Sequence, residues 1–395
     1  MGRRTVDEHA ARVAALLGPV LGALGNERLV LADALGRLNA DDVIAPIALP
    51  PFRNSQMDGY AARAAEVAAA PLVLPVGGVV AAAPATAAVL PLATLLKVMT
   101  GAPLPEGADC VVPVEDTAPA TGGVRVLAPR TAGEFVREAG SDVQAGALVV
   151  AAGVRLAPRH LAALAAVGVA AVAVRRRPRV AVLTTGEEVA DPGAPLAPGQ
   201  IYDANATALR ALVAESGGDV VRVVRTGDDP AAFAGALDAA VAQADLVLTC
   251  GGISKGDFEV VRQVLEPRGA EVVEVAMQPG GPQATAVVAG VPVIGFPGNP
   301  VSTQVSFTVF VRPLLRATAG LPPLEPRTLP LAEAIRSPAG RRQWLRGCVR
   351  DGTVVPVSGP GSHLVATMAA ADVLLDVPAE VERLAAGDLV AVVPL

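Results

Sequence analysis

Two apolar runs that each end in a glycine-bearing turn and restart as a helix constrain this chain more than any other feature. The first is Leu246-Val247-Leu248-Thr249, which breaks at Gly251-Gly252 and passes through Ile253-Ser254-Lys255-Gly256-Asp257. It resumes with the helical spacing Phe258, Val261, Val264, Leu265. The second is Val293-Ile294-Gly295-Phe296, then Pro297-Gly298-Asn299-Pro300, then an apolar helix from Val301 to Leu315. A short buried strand, a turn and a helix make half of a parallel βαβ unit. Such turns lie at the carboxyl ends of their strands, where open α/β sheets bind ligands. Asn299 is placed to cap its helix and Pro300 to begin it, which would leave backbone amides directed at a ligand. Together the two corners describe an anion-binding cleft.

The same rhythm precedes them. Strand Val180–Thr184, helix Ala206–Glu215, strand Val220–Val224 and helix Pro230–Ala242 lead into the run from Asp245. Alternation of this kind predicts a mostly parallel α/β sheet over 179–322. Its flanks differ. Residues 5–37 carry helical apolar faces, and Ile44–Phe52 is proline-rich and extended. Short apolar runs cut by glycine and proline over 71–129 predict a small β domain, and proline and glycine punctuate strand-like text from 323 to 395. The fold class expected is therefore a multidomain α/β plus β protein.

Composition bounds the function. Of 395 residues, 52% are hydrophobic and 18% charged, so the chain has ample material for cores; it carries no uninterrupted apolar run that would span a bilayer. A net charge of -6 argues against nucleic acid as the main partner. Cys110, Cys250 and Cys348 have no paired spacing, and residues 1–8 hold no secretory core, so reduced thiols and a cytoplasmic location are expected. His9, His160 and His363 are too scattered for a zinc site. Lys97 and Lys255 are the two lysines in a chain that otherwise uses arginine.

Thr184-Thr185-Gly186-Glu187-Glu188 follows the first strand of the α/β region. Acids at a strand end suit Mg²⁺, which takes one or two carboxylates plus phosphate oxygens, although a solvated turn explains them as well. Asp257, beside Gly256, carries the same ambiguity, and the two acids on neighbouring strand ends point to a metal or phosphate site. Asp58 lies where Gly59 can turn the chain, and a local turn former explains it equally. No phosphate-loop lysine motif, dinucleotide fingerprint or Ser-His-Asp order is present. The residues alone lead to a phosphate-bearing ligand with Mg²⁺.

Taken jointly, several stretches closely resemble the molybdopterin molybdenumtransferase family, the MoeA proteins and the E domain of gephyrin. They are Met57-Asp58-Gly59-Tyr60-Ala61, Met99-Thr100-Gly101-Ala102, Arg137-Glu138-Ala139-Gly140-Ser141-Asp142 and Thr185-Gly186-Glu187-Glu188. After these come Gln200-Ile201-Tyr202-Asp203-Ala204-Asn205, Gly251-Gly252-Ile253-Ser254 with Gly256-Asp257, and Pro297-Gly298-Asn299-Pro300-Val301-Ser302. Each is weak alone; the ordered set is specific. The resemblance implies a framing domain of 1–45 with 135–178, an inserted β domain of 46–134, the molybdopterin-binding α/β domain of 179–322 and a β barrel of 323–395. It implies a homodimer whose cleft lies between the α/β domain of one subunit and the Asp58 loop of the other. The activity implied is insertion of molybdate into adenylylated molybdopterin with release of AMP, assisted by Mg²⁺, with the pterin's dithiolene sulfurs as the metal's ligands. Transient contact with the molybdopterin adenylyltransferase and with acceptor molybdoenzymes also follows.

By matching position, the resemblance implies catalytic roles for Asp58, Thr100, Asp142, Glu188, Asp228 and Asp257, with Glu188 and Asp257 holding the metal. Gly251, Gly252, Ser254, Lys255, Pro297, Gly298, Asn299 and Pro300 would bind the cofactor, and Ser302, Arg342, Arg346 and Ser362 would contact oxyanions. One departure stands out. Family members carry two lysines around a proline-glycine step, where this chain has Met277-Gln278-Pro279-Gly280-Gly281-Pro282. Unit charges at ~4 Å are worth about 4 kcal/mol at an effective dielectric near 20, so losing two cations bears on turnover. Lys255 is a candidate to replace part of that charge. The departure keeps a non-catalytic pterin-binding relative or scaffold in view. An adenylyltransferase, built on the same α/β fold, would lack the flanking domains.

Overall fold

The computed structural model describes residues 3–83, 88–254 and 259–395. Lys255 and Asp257 lie outside the described residues. The chain divides into two compact units: the segment up to Glu27 together with Arg175–Leu395, and Arg28–Val174.

The first unit begins with helix α1 (Val6–Gly22). A reciprocal capping box starts it: Thr5 Oγ1 accepts from Glu8 N at 3.2 Å, and Glu8 Oε2 accepts from Thr5 N at 2.8 Å. Val6, His9, Val13, Leu17 and Leu21 recur at helical spacing and are all buried. The α/β sheet follows, from β1 (Arg179–Thr185), α2 (Ala204–Glu215), β2 (Asp219–Thr226), α3 (Pro230–Val241), β3 (Leu246–Cys250) and α4 (Val260–Leu265). It is completed by β4 (Glu271–Glu274), β5 (Met277–Gln278), β6 (Pro282–Val288), β7 (Val291–Phe296), α5 (Pro300–Ser306) and α6 (Arg312–Thr318). A π-helical turn, Phe307–Val311, joins the last two helices.

Six of these strands form one sheet in the order β2-β1-β3-β7-β6-β4. The first four run parallel, while β6 is reversed near one edge and pairs antiparallel with both β7 and the edge strand β4. Alternation along each strand sorts side chains into two cores. Val180, Val182, Leu248 and Ile294 face α1, α2 and the 300–318 helical run. Ala181, Leu183, Val247 and Val293 face Phe233 and Leu237 of α3 and Val261 and Leu265 of α4. Helices therefore cover both faces, and burial of each large apolar side chain contributes about 1.5–3 kcal/mol.

β5 leaves this sheet and joins the C-terminal one, which contains β8 (Arg327–Pro330), β9 (Arg342–Arg350), β10 (Thr353–Pro356), β11 (Val373–Val377) and β12 (Leu389–Pro394). Its order is β5-β9-β11-β12-β8, with β10 paired to β9. A parallel bridge from Leu331 to Val354 brings the end of β8 against β10.

The second unit has a four-stranded sheet of Val76–Val80, Leu95–Val98, Gly59–Ala62 and Cys110–Pro113, and a three-stranded one of Leu72–Leu74, Gly123–Val126 and Thr117–Ala120. Val43–Ile44 pairs with the returning Leu148–Val150. No helix among the described residues is long and apolar enough to cross a membrane.

Candidate active site

In the α/β sheet the chain passes from β1 outward to β2 and then back across β1 to β3, so the direction of winding reverses between β1 and β3. Ligands bind at such a reversal, beyond the carboxyl strand ends. A cavity of about 1050 Å³ opens there. Its walls are the turns after β1, β2, β3 and β7, the start of α2, the 277–282 loop and residues 360–363.

The turns owe their shape to close packing. Gly251 takes φ +93°, and a Cβ there would stand 2.8 Å from Thr185 Oγ1; Gly298 lies beside it at ordinary van der Waals contact, its Cβ position 3.4 Å from the Gly251 Cα. Only glycine lets the backbone following β3 turn so near the end of β1. Asp203 caps α2 by accepting from Ala206 N at 2.8 Å, and its other oxygen accepts from Thr184 Oγ1 at 2.7 Å. Asn205 Nδ2 donates to Gly298 O at 2.7 Å, which ties α2 to the β7 turn. Asp203 and Asn205 were visible in the sequence as part of a motif, but not as struts between strand ends.

Most of the expected residues meet in this cavity. Glu188, Asp228, Gly251, Gly252, Ser254, Pro297, Gly298, Asn299, Pro300, Ser302 and Ser362 all line it. Glu188 is exposed and folds back over Gly186, and Asp228 is half-buried. Among the described residues neither side-chain carboxylate has an ion-pair or hydrogen-bond partner, although the Glu188 backbone carbonyl accepts from Ile201 N at 2.8 Å. Two unengaged carboxylates on adjacent strand ends suit a hard cation that keeps water and phosphate oxygens as its other ligands. No cluster of three or more metal-ligating side chains occurs among the described residues.

Asn299 occupies the cap position of α5, but its side chain makes no capping hydrogen bond. Nor are the amides of α5 all free: Val301 N donates to Ser362 O at 3.0 Å. Cys250 is a buried structural thiol whose Sγ lies 3.1 Å from Thr303 Oγ1, and burial pushes its pKa up to about 12.

The two arginines expected at an oxyanion stand elsewhere. Arg342 does not line the cavity; it grips Asp376 through Nε and Nη2 at 2.7 and 2.6 Å, donates to Asp7 at 3.1 Å and lies over the Trp344 ring. Arg346 is buried behind the wall, where it holds Gly359 O, Ser358 Oγ and Gly361 O, the last at 3.2 Å. Burial without a carboxylate partner lowers its pKa from the usual guanidinium range. It shapes the 358–362 turn that carries Ser362. Among the described residues, the arginine that does line the cavity is Arg341.

Asp58, Thr100 and Asp142 belong to the second unit. Asp58 Oδ1 accepts from Thr100 N at 2.6 Å and Thr100 Oγ1 at 2.8 Å, which lowers its pKa and fixes its orientation. Beside it, a Cβ on Gly59 would fall 2.2 Å from Val112 O, so the neighbouring strands exclude any other residue there. Asp142 is exposed, and its backbone N donates to Leu49 O at 3.0 Å.

Three family models match the chain in order: the MoeA N-terminal region (domain I and II) over 4–168, the "Probable molybdopterin binding domain" over 181–317, and the MoeA C-terminal region (domain IV) over 328–395. Molybdopterin molybdenumtransferase 2 of Mycobacterium tuberculosis is 42% identical over 399 residues, which cover 97% of this chain and 98% of that one. The chain belongs to the MoeA family. The molybdopterin molybdenumtransferase of Haemophilus influenzae is 34% identical over 378 residues, 93% of each chain. The crystal structure of the molybdopterin biosynthesis MoeA protein from Pyrococcus horikosii superposes with a TM-score of 0.80 at 34% identity, covering 97% of this chain and 98% of that one. Gln278 Oε1 accepts from Gln343 Nε2 at 2.7 Å, and a Cβ on Gly281 would stand 2.3 Å from Glu274 Oε1.

Proposed function

We propose that this chain is a molybdopterin molybdenumtransferase that inserts molybdate into adenylylated molybdopterin and releases AMP. The observation that carries the reading is the cavity at the winding reversal, where two carboxylates unengaged among the described residues face an amide- and glycine-rich wall, in a chain that matches a named relative over 97% of its length. The β3 and β7 turns would seat the pterin and its phosphates. Glu188 and Asp228, with Asp257 outside the described residues, would hold Mg²⁺. When bound, Mg²⁺ would offset charge on the pyrophosphate as the anhydride breaks. The chain's own contribution is to orient the phosphate chain against glycine turns that exclude bulk and to keep Ser302 and Ser362 hydroxyls at the rim.

The working unit in this reading is a homodimer, with Asp58 and Thr100 serving the cleft of the second copy. The protein acts in the cytoplasm, receives its substrate from the molybdopterin adenylyltransferase and passes product to acceptor molybdoenzymes. Four domains are proposed, at 1–45 with 135–178, 46–134, 179–322 and 323–395. The bridge from Leu331 to Val354 supports a barrel for the last. Gln278 and Gly281, which replace the two lysines, favour one other reading: a pterin-binding relative without turnover. Chromatographic detection of AMP after incubation with adenylylated molybdopterin, molybdate and Mg²⁺ separates the two. Binding of the adenylylated pterin without AMP would select the second reading.

A further inference from the structure

Acids, glycines, prolines and small polar residues make up most of the cavity wall, and one stretch departs from that. Val189 and Ile201 line it beside Glu188. Ile201 is 57% exposed, whereas Ile253 and Met277, which also line the cavity, are 2% and 1% exposed. Aliphatic surface left open inside a cavity is surface that a ligand gains by covering.

Strand register decides which side chains face inward. Val189–Ala190 pairs in parallel with Ile201–Tyr202, so that Val189 stands opposite Ile201 and Ala190 opposite Tyr202. Alternation puts the first pair on one face and the second on the other. Val189 lines the cavity and Ala190 does not, which makes the Ile201 face the inner one. Tyr202 borders the cavity too, but its ring is drawn away toward Ala194, whose carbonyl accepts from Tyr202 Oη at 2.9 Å. The two short strands are fixed along their length. Ile201 N donates to Glu188 O at 2.8 Å and Asp203 N to Ala190 O at 2.9 Å. Arg225, on β2, donates to Val189 O. Asp203 also holds Thr184 Oγ1 and caps α2. The inner face is therefore set before a ligand arrives, and a β-branched side chain on it has few rotamers to lose.

We propose that Ile201, beside Val189, is the seat for a flat heteroaromatic ring of the substrate. This inference rests on the reading of the cavity proposed above, in which the substrate carries an adenine and a pterin. Phosphates and hydroxyls need polar partners when they leave water, whereas the face of such a ring gains by covering aliphatic surface. Seated there, the ring lies next to Glu188, and its phosphate chain runs on toward Asp228 and the β3 and β7 turns.

The test is calorimetric binding, with Mg²⁺ present, to the full chain and to its Ile201→Ser and Ile201→Phe variants, with thermal melting confirming the fold. The ligands are AMP, ribose 5-phosphate, which keeps the phosphate and lacks the base, and pterin-6-carboxylate. Ile201→Ser should weaken a ring-bearing ligand about tenfold, the scale of losing about two buried CH₂ groups, and leave ribose 5-phosphate unchanged. Ile201→Phe offers a larger apolar face and should bind that ligand at least as tightly as the unsubstituted chain. Loss confined to AMP assigns the seat to adenine, and loss confined to pterin-6-carboxylate assigns it to the pterin. Equal weakening of AMP and ribose 5-phosphate overturns the proposal. So does unchanged affinity for both ring ligands in folded Ile201→Ser, or no binding of either by the unsubstituted chain. A chain that binds a ring in an Ile201-dependent way yet releases no AMP from adenylylated molybdopterin retains this inference and loses the transferase reading.

Discussion

Acidification should loosen the first unit through His9, a residue remote from the cavity. Its ring is fully buried between α1 and the π-helical turn, edge-on to Phe310 with centroids 4.6 Å apart. Neither ring nitrogen has a hydrogen-bond partner. Burial, aided by the nearby Arg4 and opposed by Glu271, drives the pKa from 6.5 down to about 4. Arg4 and Arg12 both pair with Glu271, so that carboxylate is already engaged. A folded-state pKa below the unfolded one means that the unfolded chain binds the extra proton. The stabilising effect of neutral His9 is therefore complete above pH 6.5 and is lost as pH falls toward 4. At 1.36 kcal/mol per unit, the full loss is about 3 kcal/mol, and about 2 kcal/mol of it arrives between pH 7.5 and pH 5. Denaturant unfolding followed by Trp344, the chain's one tryptophan, reads the unit that contains it. His9→Leu removes the titration and two unpaired polar atoms, so it should be at least as stable at pH 7.5 and about 2 kcal/mol more stable, relative to the unsubstituted chain, at pH 5. Parallel pH profiles for the two proteins would refute this reasoning.

Other expectations concern the cavity and its frame. Arg342→Ala should lower stability by about 2 kcal/mol, since it strands a mostly buried Asp376, and should leave the molybdate KM unchanged; a raised KM with intact stability would return Arg342 to the site. Glu188→Ala and Asp228→Ala should each raise the Mg²⁺ concentration needed for AMP release while preserving the melting curve, and unchanged Mg²⁺ dependence in both would remove them from the mechanism. Mixed dimers of inactive Asp58→Ala and Asp228→Ala chains should regain part of the activity if the cleft is shared between subunits. No recovery in verified mixed dimers would show that one chain builds each site.

The parallel part of the sheet was legible because strands buried on both faces read as continuous apolar runs, such as Val180–Leu183 and Leu246–Thr249. The antiparallel edge was not. β6 reads no differently from a parallel strand, and its direction depends on a tight return through Ala289 and Gly290. The cavity residues could be found from their turns, since glycine and proline mark where strands end. What sequence could not set was the phase of β9. Adjacent residues on a strand face opposite ways, so Arg341 and Arg342 exchange roles with a one-residue shift. The buried state of His9 was equally hidden, because a lone histidine on an apolar helical face carries no sign of whether its nitrogens find partners. Lys255 and Asp257, both prominent in the sequence, lie outside the described residues.

The most direct test of the proposed reaction is its stoichiometry in a single turnover. The purified chain would be mixed with a limiting amount of adenylylated molybdopterin, excess molybdate and Mg²⁺, and AMP and protein-bound molybdenum would be counted in the same sample. The expected result is one molybdenum retained on the pterin for each AMP released, with neither formed when Mg²⁺ is withheld. AMP released without metal capture, or a stable adenylylated complex that releases none, would contradict the transferase reading.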